Sequence, residues 1–136
     1  MQLNQATDYA FRAVLYLTRF GSEEVVNAQV IAEKEEIPMR FLLKIMRSLI
    51  KAGIVKSYRG VDGGYSLAKP PQDITLLDVL EAVEGPVKIN RCLIEPEYCS
   101  KKWANHCPIH QVLNGIQSNL LNDLASCNFA QLTENI

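Results

Sequence analysis

The sequence predicts a mainly α-helical fold with one small β-hairpin and a long helix near the end of the chain. Apolar residues recur at three- and four-residue spacing in five segments of the 136-residue chain, the pattern of helices that bury one face. The glycine-rich stretch "RGVDGG" joins two β-prone runs, "IVKSY" and "YSLA", as in a hairpin. The hydrophobic fraction is 48% and the charged fraction 21%, the values of a folded globular chain.

Two helices are predicted before residue 37. Residues 6–20 carry an apolar stripe, and Gly21 follows where a helix commonly ends. Asn27 can accept a hydrogen bond from a free amide at the start of a short second helix, which carries Val30 and Ile31. The charged stretch "EKEE" closes that helix.

A third helix and the hairpin follow. Pro38 is favoured in the first turn of a helix, and Gly53 stops the helical pattern. Its predicted inward-facing residues are Phe41, Leu42, Ile45, Met46 and Leu49. The order of three helices and a hairpin is that of a winged helix-turn-helix domain, which we predict over residues 1–72.

The second half predicts a linker helix, a loop and a long helix. Asp73 or Thr75 can cap the helix "LLDVLEAVE", which ends at Gly85. We assign residues 73–106 to this helix and a loop, and residues 107–136 to a dimerisation helix and C-terminal tail. The apolar stripe of the long helix is Ile109, Leu113, Ile116, Leu120, Leu124 and Cys127. This stripe offers more apolar surface than one packing partner needs. The helix therefore either associates with a second copy of itself or packs as an ordinary core helix.

Positive charge is concentrated in the first half of the chain. Residues 1–69 hold ten Lys and Arg against seven Asp and Glu, a net charge of +3, whereas residues 70–136 hold four against eight, a net charge of −4. Between Pro38 and Gly60 there are six cations and no acid. Such a stretch is typical of a surface that binds a polyanion, although a solvated helix face would look the same.

In a helix-turn-helix the second helix of the pair enters the major groove of double-stranded DNA. Near the start of that helix, side chains reach base edges, and farther along they meet phosphate. The hairpin supplies a wing whose arginine can enter the minor groove. The candidate DNA contacts are Arg40, Phe41, Lys44, Arg47, Lys51, Lys56, Arg59 and Gly60. The glycine-rich link lacks the Lys-Ser/Thr end of a nucleotide-binding loop, and no enzyme motif is present, so we expect no catalytic activity.

Residues 92–110 hold three of the four cysteines and both histidines. Cys92, Cys99, Cys107 and His110 give the spacing C-x6-C-x7-C-x2-H, which suits zinc or an iron–sulfur cluster. The absence of short C-x2–4-C knuckles disfavours zinc, and incidental loop cysteines are the third interpretation. With no membrane-length apolar run and no signal peptide, we expect a cytoplasmic protein with reduced thiols and no membrane partner.

The chain resembles the bacterial family of winged-helix iron–sulfur regulators that includes IscR, NsrR and RirA. The resemblance covers nearly the full length and rests on "TDYAFRAVLYL", on "FLLKIMRSLIKAGIVKSYRGVDGGYSLAKP", on "DITLLDVLEAVEG" and on three cysteines before a long helix. It implies a homodimer with crossing C-terminal helices. It also implies one [2Fe-2S] or [4Fe-4S] cluster per subunit, held by Cys92, Cys99 and Cys107. The fourth ligand is then His110 or Asp8 of the partner subunit.

The resemblance implies a dimeric repressor that binds a DNA operator. Its signal would be iron or cluster status, redox state, or a small molecule such as nitric oxide. Two alternatives remain open. One is a metal-free repressor in which Cys92, Cys99 and Cys107 form disulfides, and the other is a small cluster-carrier or electron-transfer protein that does not bind DNA.

Overall fold

The computed structural model of the chain describes residues 2–90, 93, 95–103, 106–134 and 136. The predicted fold class is confirmed, because the described chain is mostly helical and contains an antiparallel hairpin. The elements are α1 (Gln5–Phe20), α2 (Ala28–Glu35), α3 (Met39–Lys51), β1 (Val55–Tyr58), β2 (Gly64–Leu67), α4 (Leu76–Glu84), α5 (Pro108–Ala125) and α6 (Phe129–Thr133). Short 3-10 turns lie at Pro71–Asp73 and Pro96–Tyr98.

Side-chain caps fix where the first helices begin. The Asn4 side chain accepts a hydrogen bond from the Thr7 amide at 2.9 Å and starts α1, one residue before the predicted stripe. The predicted cap of α2 is present, since the Asn27 side chain accepts from the Gln29 amide at 2.7 Å. α2 ends at Glu35, and the C-cap residue Glu36, with a φ of 53°, turns the chain toward α3.

The core forms where α3 packs on α1. α3 buries the predicted residues Leu42, Ile45, Met46 and Leu49. From α1 the small side chains of Ala10 and Ala13 join the core, and they allow two helices to approach closely. Phe41, also predicted to face inward, lies at the edge of this buried stripe and is 41% exposed. The face of α3 opposite the buried residues is left to solvent.

The wing is tied to the segment that precedes α2. β1 pairs with β2 so that Val55 lies opposite Leu67, and Tyr65 forms a further bridge to Val26 with two N–H···O bonds of 2.8 Å. Gly64 has a φ of 154°, and a Cβ there would lie 2.1 Å from the Val26 carbonyl oxygen. The close approach of β2 to the segment at Val26 therefore requires glycine at residue 64. This contact fixes the wing to the helix-turn-helix.

The C-terminal segment differs from the sequence prediction of one helix running through Cys127. α5 ends at Ala125, and Asn128 starts α6 through a capping box with Gln131. Phe129 is 1% exposed and its amide donates to the Ile74 carbonyl at 3.0 Å. Burial of this aromatic ring in the N-terminal core outweighs continuation of the helix, so the chain turns back at residues 126–128.

α5 leaves its apolar stripe uncovered at the end near the cysteines. Ile109, Val112 and Ile116 are 67%, 62% and 50% exposed, and none of the residues of α5 is buried. The other end of α5 packs on α4. The Ile89 amide donates to the Gln117 side chain at 3.1 Å, which holds the segment before the cysteine loop against α5. In the described ranges no helix combines the length and apolarity needed to cross a bilayer.

We expect Phe129→Ala to lower the free energy of unfolding by about 3–5 kcal/mol, since it leaves a cavity between α6 and the N-terminal core. Ile136→Ala, which truncates an exposed side chain near the C-terminus, should change it by less than about 0.5 kcal/mol. Urea unfolding of both variants at one protein concentration measures the difference. Equal midpoints and slopes for the two variants would contradict the docking of α6.

Candidate nucleic-acid interface and cysteine site

The exposed face of α3 presents four cations in a row. Arg40, Lys44, Arg47 and Lys51 recur at spacings of four, three and four residues, and all four are exposed. This face lies opposite Leu42, Ile45 and Leu49. Across the described residues, none of these cations forms an ion pair with an acid. Their charge is therefore available to an external polyanion.

The wing adds cations beside this face. Lys56 and Arg59 are exposed, and Gly60, with a φ of 100°, begins the turn at the wing tip. Burial raises the pKa of the Tyr65 phenol, and the charge of Arg47 partly offsets that rise. α3 also packs on β1, which places the wing beside this helix.

Phe41 lies on the side of α3 that faces α1. Its ring centroid is 6.2 Å from that of Tyr9, and the Arg40 guanidinium lies 4.9 Å from the Phe41 centroid. Both aromatic rings line a cavity of about 290 Å³ between α1 and α3, together with Lys44. The Phe41 ring therefore bridges α1 and the Arg40 guanidinium.

Asp8 is connected to the helix-turn-helix through Arg12. The Arg12 Nη2 atom lies 2.7 Å from Asp8 Oδ2, and Nη1 donates to the Glu35 carbonyl oxygen at 3.1 Å. Glu35 is the last residue of α2. Arg12 is not among the candidate residues predicted from the sequence, although its position four residues after an acid on a helix could have indicated the pair.

Two of the predicted thiol ligands and the predicted histidine line one cavity. Cys99, Cys107 and His110 surround a volume of about 410 Å³ with Asn90, Tyr98 and Ser100. Cys107 is the N-cap residue of α5 and His110 lies in its first turn, so one helix start positions both. Cys92 lies outside the described residues. Asp8 of the same chain is not among the residues lining this cavity.

The loop after Cys99 favours a thiolate. The backbone amides of Trp103 and Lys101 donate to the Cys99 sulfur and hold the pKa of this partly exposed thiol below its ordinary value. The turn that aims these amides contains Lys102, whose φ is 55° and whose own amide donates to the Cys99 carbonyl at 2.9 Å. The Lys101 ammonium lies 4.0 Å from the Trp103 ring centroid.

The donor atoms suit soft metals, because thiolate and imidazole bind zinc, copper and iron–sulfur clusters. Within the ranges that the structure describes, no three His, Cys, Asp or Glu side chains lie close enough to hold a single metal ion. The predicted set includes Cys92, which those ranges omit. The described part of the site therefore contributes two thiols and one imidazole.

A helix-turn-helix with a basic second helix and a rigid wing defines the class of winged-helix DNA-binding transcription regulators. Within that class the chain belongs to the Rrf2 family, whose model, described as iron-dependent transcriptional regulators, matches residues 3–135. This confirms the resemblance inferred from the sequence. Regulation of transcription, rather than catalysis, is the activity of this family, as predicted.

Individual relatives agree with this assignment. An HTH-type transcriptional regulator of Aquifex aeolicus is 35% identical over 120 residues, which span 88% of this chain and 83% of the relative. IscR of T. potens shares the fold with a TM-score of 0.73 and 24% identity, covering 99% of this chain and 88% of that protein. CymR, the global cysteine regulator of B. subtilis, also gives a TM-score of 0.73, with 22% identity and coverage of 100% and 98%.

In reduced, metal-free protein we expect Cys99 to react with iodoacetamide at lower pH than the same cysteine in the denatured chain. The thiolate is the nucleophile, and a lowered pKa keeps the thiolate populated as the pH falls. Mass spectrometry of the peptide containing Cys99 gives the rate at each pH. Cys127 in the same digest serves as the internal control. Identical profiles for native and denatured Cys99 would show that the amides do not stabilise the thiolate.

Proposed function

We propose that the chain forms a homodimeric DNA-binding repressor whose operator affinity is controlled by an iron–sulfur cluster at the cysteine loop. The observation that carries this proposal is the joint lining of one cavity by Cys99, Cys107 and His110, with backbone amides directed at the Cys99 sulfur. Amide hydrogen bonds to sulfur are a means by which proteins tune a cluster. The family description, iron-dependent regulators, supports the same cofactor.

Cys92, Cys99 and Cys107 would hold the cluster, with His110 or Asp8 of the partner subunit as fourth ligand. When bound, the cluster would supply a group that is sensitive to iron supply, oxidants and nitric oxide. The chain's own residues form the walls of the site: Tyr98 and Ile109 line the cavity beside the thiols. Because Cys107 is the N-cap residue of α5 and His110 lies in its first turn, a change in their ligation would act directly on that helix.

The uncovered stripe of α5 supports the dimer. Ile109, Val112 and Ile116 form an exposed apolar surface next to the cysteine loop, and a second copy of α5 would cover it. Such packing would bring the loop of one subunit toward the other subunit, which is the condition for Asp8 of the partner subunit to reach the site. The domain division of the sequence prediction, with residues 107–136 for dimerisation, is part of this proposal.

Arg12 supports a route from the site to the DNA-binding helices. Asp8 binds Arg12, and Arg12 binds the carbonyl at the end of α2. If Asp8 changes its partner, Arg12 loses an anion, and the hydrogen bond that fixes the end of α2 is altered. α2 and α3 pack together, so the recognition helix would respond.

A metal-free thiol-redox repressor is the second candidate. The lowered pKa and the partial exposure of Cys99 favour it, because these properties characterise redox-sensing cysteines. The likeness to the cysteine regulator CymR concerns the fold alone. The two candidates differ in whether the purified protein holds iron and sulfide.

Anaerobically prepared wild type should contain iron and sulfide and absorb visible light. Cys99→Ala should lose both while its far-ultraviolet circular dichroism is retained, since the core lies elsewhere. Cys127→Ala is the matched control and should keep the cluster, because Cys127 adjoins α6 and does not line the cavity.

In the same preparation, Asp8→Ala and His110→Ala identify the fourth ligand, since only the ligating residue should shift the spectrum when it is replaced. A colourless wild type without iron and sulfide would contradict the cluster and leave the thiol switch.

DNA binding is tested with an operator selected from random duplexes. Lys51→Ala should weaken binding to all DNA sequences, because it removes a phosphate contact. The slope of the logarithm of the binding constant against the logarithm of the salt concentration should become shallower by about one. Arg40→Ala should in addition relax the sequence preference, at a cost of about 1–3 kcal/mol. Lys88→Ala, an exposed lysine outside the basic stretch, is the control. Unchanged binding of the Arg40 and Lys51 variants would exclude this face as the DNA interface.

A further inference from the structure

Val61 is the most exposed large hydrophobic residue among the described ones, with 98% of its surface open to solvent. The other exposed apolar side chains on α5 and α3 are at most about two-thirds exposed. A branched aliphatic side chain gains free energy only when it is covered. Val61 was not among the DNA contacts expected from the sequence, because a lone valine between charged residues and glycines gives no periodic signal.

The turn that carries Val61 is built tightly. The Gly63 amide donates to the Gly60 carbonyl at 3.0 Å, which closes a β-turn with Val61 and Asp62 at its centre. A Cβ on Gly63 would lie 2.3 Å from the Tyr58 carbonyl oxygen. The described residues with positive φ other than glycine do not include Val61, so its backbone is unstrained. The wing therefore holds one apolar side chain at a fixed projecting position.

We propose that Val61 enters the minor groove of the operator and makes the wing select A·T over G·C base pairs. This inference rests on the DNA-binding function proposed above. Arg59, immediately before the turn, is exposed and suits the negative potential of a narrow A·T groove. Asp62 is repelled by phosphate, which leaves Val61 as the central turn residue suited to face DNA.

The selection follows from the shape of the groove floor. In the minor groove an A·T pair presents only acceptor atoms, whereas a G·C pair adds the guanine 2-amino group. That group projects into the space that the two methyl groups of Val61 would occupy, and covering it would cost its hydrogen bond to water. A narrow A·T groove also brings the sugar walls closer to an aliphatic side chain, which adds van der Waals contact.

The test uses the selected operator with each adenine replaced in turn by 2,6-diaminopurine, which adds only the 2-amino group in the minor groove. Wild type should lose affinity about tenfold at the base pairs beneath the wing, the usual size of one unfavourable pair. Val61→Ala should reduce that loss to less than about twofold, because the methyl groups are gone. Val25→Ala, which truncates another exposed valine outside the turn, should respond as wild type does.

Failure of the Val61 proposal and failure of the DNA-binding proposal give different results. Val61→Ala should unfold at the same temperature as wild type, since a residue with a fully exposed side chain has few contacts to lose. If Val61→Ala discriminates against diaminopurine as strongly as wild type, Val61 does not read the groove and the proposal is overturned. If the wild type selects no operator at all, the DNA-binding proposal itself fails, and this one with it.

Discussion

The packing of α3 on α1 is the constraint on which the rest of the structure depends. Because Leu42, Ile45 and Leu49 must be buried against α1, the orientation of α3 about its own axis is fixed. That orientation directs Arg40 and Lys51 to solvent. The wing is then held beside the same face by the bridge between Val26 and Tyr65 and by the glycine at residue 64. The surface proposed to bind DNA is thus a consequence of core packing.

The chain returns to this core at its C-terminus, and the return shapes the second half of the molecule. Phe129 docks α6 beside the linker that carries Ile74, so one end of α5 is anchored. The other end carries an uncovered apolar stripe, with Cys107 at the N-cap and His110 in the first turn. A site placed on a projecting helix end is well suited to respond to a second subunit, which is the basis of the regulation proposed here.

Much of the fold could be predicted from sequence because local signals agree with the core pattern. Asn27, Gly21 and Thr75 each stand where the structure places a helix end. The break after Ala125 could not be predicted from periodicity, since the apolar spacing continues through Cys127 and only tertiary burial of Phe129 decides it. For the site, residue type and spacing indicated Cys99, Cys107 and His110, which the fold brings to one cavity. The Arg12 link and the turn at Val61 needed coordinates, because both depend on contacts between distant segments or on the shape of a turn.

The regulation proposed here requires that the cysteine site and the basic face of α3 be energetically coupled. Its most direct test is the operator dissociation constant of one anaerobic preparation, measured before and after removal of iron at constant salt. Coupling of the two sites should change this constant by about tenfold or more, within the usual range of coupling between two sites. Equal dissociation constants for the iron-loaded and iron-free protein, with the dimer intact in both, would contradict it.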